Sequence, residues 1–359
     1  QLIIETTAGI PYKAILEILC KASGSQQSFA LLHDTAPLPE SITDTTVDGN
    51  DKDKGHRKEH KATPYIIVHW SSVIDENKAT EMLMPKVSGN GWEKATTQKE
   101  ATMTHTGDST TAILLLPLLV ENKIAGMVGF SKPVNSGSWK SVHINLLSTT
   151  ASMISQAMER QKTNAQLKRH FMSLAKIISK ALAIVDPYTA SHQQRLAEMV
   201  CLIGEKMGMK PKQLEWLYFC GLLHDVGKIA VPATILSKPG QLTSEEWGLV
   251  RSHVKRSHEI LQDMDLPDNV VNTILYHHER LDGSGYPYGI RENELTMEAR
   301  ILGVCDVVEA MSSHRPYRPA RTKGEIAAEL KMGRGPKYDP RVVDWMLNMI
   351  NNNELNGYL

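Results

Sequence analysis

The sequence predicts an α+β chain: a mixed α/β N-terminal part, a long connecting helix and an all-helical C-terminal part. Three observations carry this. Strand-like apolar runs over 112–120 and 123–131 flank a two-residue turn, Glu121-Asn122. From residue 142 to residue 184 there is neither proline nor glycine. Beyond Asp186, apolar residues recur at helical spacing and no strand-like alternation competes.

The bulk properties narrow the function. At 359 residues the chain has room for two domains. Forty basic and forty acidic residues cancel, so no global field points to DNA or to an anionic membrane, and an anionic substrate would need a local cluster. Cys20, Cys201, Cys220 and Cys305 are scattered without a CxxC pair, as expected of buried thiols in a reducing cytosol, so a cytoplasmic location is expected. No apolar run approaches the roughly 20 residues of a membrane span, and no signal peptide is evident. The chain opens at Gln1 instead of Met, which leaves room for a segment upstream.

In chain order, helical spacing of Ile15, Leu16, Ile18 and Leu19 predicts a helix over 10–21. Residues 28–32 and 64–70 read as strands, and the polar stretch 41–63 between them as a loop. The two central strands follow, joined at Asn122, which suits a turn conformation. An apolar strand, a tight turn, the strand Ile124-Ala125-Gly126-Met127-Val128-Gly129-Phe130 and then a long helix resemble a GAF domain. That resemblance implies a sensory module over 1–141. Its ligand is unreadable: no cofactor-attaching cysteine stands out, and His33, His69, His105 and His143 have no mutual metal spacing.

On the long helix, 142–185, Leu147, Ala151, Ile154, Met158, Ala165, Met172, Ala175 and Leu182 fall on one heptad seam. A parallel coiled-coil homodimer is expected from it; the plainer reading is a helix packed on its own domains. Helices are then predicted over 191–207, from Pro211 into His224, from the capping box Thr243-Ser244-Glu245-Glu246 to about 261, from Pro267 to near His278, and over 296–312, 323–332 and 340–351.

These helices carry the chemistry. His224-Asp225-Val226-Gly227-Lys228 ends an apolar helix, and by itself a His-Asp pair there reads equally well as capping. His192, His253, the pair His277-His278 and Asp306 each have a bland reading too. Asp306 lies within Ile301-Leu302-Gly303-Val304-Cys305-Asp306-Val307-Val308, where a bare buried carboxylate would cost several kcal/mol. Together they place candidate ligands on several helices, as helical bundles do when they build dinuclear sites.

His192, His224-Asp225 and Asp306 resemble the HD-superfamily phosphohydrolase pattern. His277-His278-Glu279-Arg280-Leu281-Asp282-Gly283-Ser284-Gly285-Tyr286-Pro287 resembles the signature of its HD-GYP branch, and Ser313-His314-Arg315-Pro316-Tyr317-Arg318 the stretch that follows it. The resemblance covers about 166–359, with the domain itself expected over 186–359. It implies a bacterial phosphodiesterase hydrolysing cyclic di-GMP to pGpG and GMP, in some members also cyclic GMP-AMP, through a metal-bridged hydroxide, with diguanylate cyclases of the GGDEF type as candidate partners. It implies one metal on His192, His224, Asp225 and Asp306, and a second on His253, His277, His278 and the bridging Asp225. Lys228 would face the scissile phosphate, so Asp225 and Lys228 are the catalytic expectations. Arg315 and Arg318 would grip the second phosphate or a guanine edge, and Tyr286 would border a base.

One departure from the pattern matters. Several members carry Glu four positions before the first His, for a third metal; here Tyr188 stands there. Phenol, with a pKa of about 10, is a poor ligand near neutrality, so two divalent metals are expected. His and carboxylate ligands suit Fe, Mn, Zn, Ni or Co; the resemblance favours iron or manganese. Two other readings remain open at this point: a catalytically silent cyclic-dinucleotide receptor, and an HD phosphohydrolase acting on other nucleotides.

Overall fold

A computed structural model describes residues 12–33, 65–70, 90–105, 109–186, 192–313 and 319–358. The loop expected over 41–63, Tyr188, His314, Arg315 and Arg318 lie outside the described residues. The chain divides into two compact units, Gln1–Lys168 and Arg169–Leu359.

The first unit is mixed α/β. Helix α1 (Tyr12–Ala22) precedes β1 (Gln27–His33) and β2 (Tyr65–Trp70); α2 (Asn90–Gln98), β3 (Thr102–His105), β4 (Thr111–Val120) and β5 (Lys123–Pro133) follow. The strands form one antiparallel sheet in the order β2-β1-β5-β4-β3. Glu121 and Asn122 both have positive φ, 50° and 58°, as a tight hairpin turn requires. Neither α2 nor β3 was expected from sequence. Helix α2 opens on Asn90-Gly91, which reads as a turn, and β3 is four residues long, too short for its alternation to register.

Helix α3 runs from Ser141 to Val185. Its expected heptad seam is largely used within the chain. Leu147, Ala151, Ile154 and Met158 close the sheet's own core with Leu16, Leu114, Leu116 and Phe130. Ala175 belongs to the core of the second unit, and Leu182 is buried. A different row of α3 is exposed: Val142, Leu146, Met153, Leu167, Leu174, Ile177 and Ile184. Leu146, Met153, Leu167 and Leu174 share one heptad position, and Val142, Ile177 and Ile184 share the complementary one.

The second unit is helical: α4 (His192–Lys206), α5 (Pro211–Leu223), a 3₁₀ turn (Val226–Ala230), α6 (Ala233–Leu236), α7 (Ser244–Arg251), α8 (His253–Leu261), α9 (Asp268–Tyr276), α10 (Met297–Ser312), α11 (Lys323–Gly333) and α12 (Pro340–Asn351). The capping box at Thr243 is formed: its hydroxyl accepts from Glu246 N at 3.3 Å, and the Glu246 carboxylate accepts from Thr243 N at 2.8 Å. The single helix expected to follow it is broken at Ser252 into α7 and α8. The core joins Leu196 and Val200 of α4, Leu217 and Phe219 of α5, Ile301 and Val308 of α10, and Met346 of α12. Among the described residues no helix is long and apolar enough to cross a membrane.

Helices α4 and α5 meet closely at Gly221, where a Cβ would lie 2.5 Å from Ala197 Cα. Since backbone cannot yield as a side chain can, Gly221→Ala is expected to cost about 1–3 kcal/mol. Urea unfolding measures this, and an unchanged midpoint would contradict the close crossing.

Candidate metal centre

The stretch His224 to Lys228 turns where α5 stops, and a glycine dictates how that turn docks. A Cβ on Gly227 would stand 2.1 Å from His253 O and 2.4 Å from Ser257 N. The bare backbone instead donates from Gly227 N to Ser257 Oγ at 2.8 Å, and the same hydroxyl donates to His224 O at 2.8 Å. Ser257 thereby clamps the turn to α8, next to His253. A second glycine does similar work on α10: a Cβ on Gly303 would be 2.5 Å from His277 O. That close approach brings Asp306, one turn further along, beside the histidines that end α9.

The result is a buried cluster at the ends of several helices. His192, His224, Asp225, His253, His277 and Asp306 are buried and His278 is nearly so. The ring centroids of His192 and His224 are 5.6 Å apart, those of His224 and His277 5.1 Å, and those of His253 and His278 5.3 Å. Their nitrogens and carboxylate oxygens form three groups that could hold a metal ion: His192, His224 and Asp306; His224, Asp225 and His277; and His253, His277 and His278. All seven residues expected as ligands are brought together. His258 stays outside these groups.

Asp225 lies between the histidines. Its Oδ2 is 3.2 Å from His224 Nε2, and its Oδ1 is 3.1 Å from His253 Nε2. Asp306 has Oδ1 at 3.5 Å from His192 Nε2 and Oδ2 at 3.8 Å from His278 Nδ1. Helix α9 ends at Tyr276, which lets the adjacent His277 and His278 approach the same region.

The hydrogen bonds set the histidine tautomers. Nδ1 of His224 faces Gly221 O at 3.0 Å, that of His253 faces Val250 O at 2.6 Å, and that of His277 faces Ile274 O at 2.6 Å. A carbonyl only accepts, so each Nδ1 carries a proton, and in the neutral imidazole each Nε2 presents a lone pair. Those three Nε2 atoms are buried without a hydrogen-bond partner. An unsatisfied buried polar atom costs about 1–3 kcal/mol, and at Asp225 the lone pairs face carboxylate oxygens as well. A divalent cation removes both penalties, and neutral imidazole with ionised carboxylate is a donor set that such ions favour. The residues fit a metal.

The electrostatics keep the carboxylates ionised and His277 and His278 neutral, while His224 is shifted the other way. Burial pushes the Asp225 carboxyl up, but the His224 and Lys228 charges outweigh it and hold the pKa well below the carboxylate range. Asp306 is likewise lowered: burial opposes, and His224 and His192 prevail. Burial, reinforced by the neighbouring His224 ring, drives His277 down to about 3; burial and His277 drive His278 well below its usual value. His224 moves up, because Asp225 and Asp306 overcome its burial.

Lys228 Nζ lies 2.7 Å from Asp225 Oδ2 and 3.6 Å from Asp186 Oδ2. Tyr286 stacks on His278, with centroids 4.7 Å apart and planes at 27°. Glu279 Oε1 accepts from Tyr288 N at 2.7 Å and Gly289 N at 3.1 Å, closing the loop that carries Tyr286.

Sequence reasoning missed Glu309. It is fully buried on α10, bonds His192 Nδ1, and accepts from Arg195 Nε at 3.1 Å. Burial opposes its ionisation, yet His192 and Arg195 hold its pKa down to about 2. A carboxylate on Nδ1 orients the ring so that Nε2 faces Asp306. The signal was present: Glu309 stands one helical turn past Asp306, and Arg195 one turn past His192.

Residues 176–342 match the HD domain family. This stretch is an HD domain. The chain is similar to the cyclic di-GMP phosphodiesterase response regulator RpfG of Xanthomonas campestris pv. campestris (strain 8004), 36% identical over 172 residues, and to the cyclic di-GMP phosphodiesterase PA4108 of Pseudomonas aeruginosa, 35% identical over 180 residues. The 3'3'-cGAMP-specific phosphodiesterase 3 of Vibrio cholerae is 36% identical over 160 residues. These matches cover 47%, 50% and 44% of this chain and 46%, 43% and 35% of the respective relatives, so the chain spans less than half of each relative's length.

With Mn²⁺ at about a hundred times its dissociation constant, the HD domain should gain about 2.7 kcal/mol, a rise of about 5–10 °C in its thermal midpoint. Asp225→Ala should abolish that rise; an equal rise in the variant would place the metal elsewhere. Glu309→Gln should weaken metal binding by about 10–100-fold, read by competition with a chelator. An unchanged affinity would leave Glu309 a purely structural partner.

Proposed function

We propose that this chain is a metal-dependent phosphodiesterase that hydrolyses cyclic di-GMP to pGpG, to GMP or to both, with cyclic GMP-AMP as a related substrate. The observation that carries the reading is Asp225, one oxygen near His224 and the other near His253, with the Lys228 ammonium beside it. The names of the relatives give the substrate class.

Two divalent metals are proposed, one on His192, His224, Asp225 and Asp306, the other on His253, His277, His278 and Asp225, with iron or manganese preferred to zinc, nickel or cobalt. Tyr188 supports two over three, because a phenol replaces a carboxylate. Bound there, the metals would supply Lewis acidity and lower the pKa of water. The chain's own groups do the rest. Carbonyls of Gly221, Val250 and Ile274 keep the ring protons on Nδ1 and the Nε2 lone pairs inward. Lys228 Nζ offers positive charge to the phosphate as charge builds on its oxygens. Arg315 and Arg318 take the second phosphate or a guanine edge, and Tyr286 borders a base.

The wider organisation proposed is a GAF-like sensory domain over 1–141, a connecting helix over 142–185 and an HD-GYP domain over 186–359. The chain acts in the cytoplasm beside diguanylate cyclases of the GGDEF type. A ligand or redox state sensed by the first domain would shift the long helix and alter access to the metals. A homodimer forms along α3. The exposed row from Val142 to Ile184 supports this better than the seam read from sequence.

Metal-loaded full-length chain incubated with cyclic di-GMP should release pGpG or GMP. Asp225→Ala should abolish turnover, and Lys228→Ala should lower kcat by about 10²–10³. Tight binding without turnover in both Mn²⁺ and Fe²⁺ would favour a receptor instead; activity on mononucleotides alone would favour another HD phosphohydrolase. Light scattering at micromolar concentration should give a dimer, and Leu146→Glu with Leu174→Glu should return a monomer. A monomeric unmodified chain would contradict the α3 interface.

A further inference from the structure

His253 contributes its Nε2 to the buried cluster, and two basic residues flank it, two positions to either side. Arg251 is the last residue of α7, and Lys255 lies in the first turn of α8; both are exposed. Each is laid over a tyrosine of the loop that follows His278. Arg251 Cζ stands 5.2 Å from the Tyr286 ring centroid, and Lys255 Nζ stands 4.8 Å from that of Tyr288. Tyr286 in turn stacks on His278. A continuous column therefore runs from the metal centre outward: His278, Tyr286, Arg251.

Three features make this more than a solvated basic surface. First, among the described residues neither Arg251 nor Lys255 is ion-paired to a carboxylate. The next residue, Arg256, has its partner Glu259 at 2.9 Å, and Lys238 of the preceding loop has Glu246 at 2.7 Å. Of these four cations, the two without a carboxylate partner are those beside the site. Second, stacking on a tyrosine holds a guanidinium plane while leaving its N–H edge free to donate, and a phosphate accepts that edge in a bidentate fork. Third, the charge is placed outside the cluster. The inner carboxylates Asp225 and Asp306 already have Lys228 and the histidines as neighbours. A substrate with one phosphate would be held by the centre alone; one with a second phosphate needs a further cationic contact nearby.

We propose that Arg251 and Lys255, held against Tyr286 and Tyr288, form an anion subsite for the second phosphodiester of a cyclic dinucleotide. This rests on the reading of the chain as a phosphodiesterase of that substrate class. It assigns the non-reacting phosphate to the α7–α8 junction and leaves the guanine edge to Arg315 and Arg318. Tyr286 thereby both borders the metal centre and positions Arg251.

The test compares full-length wild-type chain with Arg251→Ala, Lys255→Ala and the double variant, all metal-loaded. Both side chains are exposed, so folding is retained, and thermal midpoints check this. For cyclic di-GMP, the double variant should raise KM at least tenfold with kcat changed less than threefold. Equilibrium binding of a phosphorothioate analogue of cyclic di-GMP should weaken by the same factor, and its dependence on salt should become shallower. The loss in kcat/KM should be at least tenfold larger for cyclic di-GMP than for bis(p-nitrophenyl) phosphate, which carries a single phosphate. Wild type that binds and hydrolyses cyclic di-GMP beside a double variant with unchanged KM and affinity overturns the subsite alone. Equal losses for both substrates overturn it as well, because the residues would then act through the metal centre. Wild type that neither binds nor hydrolyses cyclic di-GMP overturns the functional reading and the subsite with it.

Discussion

The constraint on which the HD domain depends is the set of inward-facing Nε2 lone pairs around Asp225. Imidazoles of His224, His253 and His277 are fixed by carbonyls on one side and left without a donor on the other. A protein interior rarely tolerates such orphans. Here they sit beside two carboxylates held in the ionised form, which a cation can share with them. Divalent cations would accept these lone pairs and carboxylates together, and the surrounding helices keep these atoms facing one another.

That shaping is done by backbone contact as much as by side chains. Gly227 and Gly303 let the turn after α5 and the face of α10 press against the backbone at His253 and His277. Ser257 clamps the first contact with two hydrogen bonds. Glu309 and Arg195 then set the angle of the His192 ring from behind. The α10 helix can carry Asp306 through a hydrophobic core because the cost of burying that carboxylate is offset where the histidine-bearing helices end.

Much of this was legible in the sequence. The hairpin at Glu121-Asn122, the long proline- and glycine-free helix, the capping box at Thr243 and the metal-ligating residue types all left local marks. What escaped has a common cause: it depends on what an element packs against. The heptad of α3 was visible, but not which row meets the chain's own cores, because Leu147 and Leu146 are equally apolar neighbours. Glu309 looks like any helix carboxylate until His192 is placed against it. The break at Ser252 leaves both flanking segments helical in their spacing, so no periodicity reports it. Helix α2 and strand β3 are too short or too polar to be read at all.

The central claim is that these buried nitrogens and carboxylates form a metal centre. Elemental analysis of the full-length chain, reloaded with Mn²⁺ or Fe²⁺ and freed of loosely held ions, tests it most directly. The account predicts two ions per chain in the wild type, and their loss in Asp225→Ala. A wild-type chain that retains no metal, or an Asp225→Ala variant that retains as much as the wild type, would contradict it.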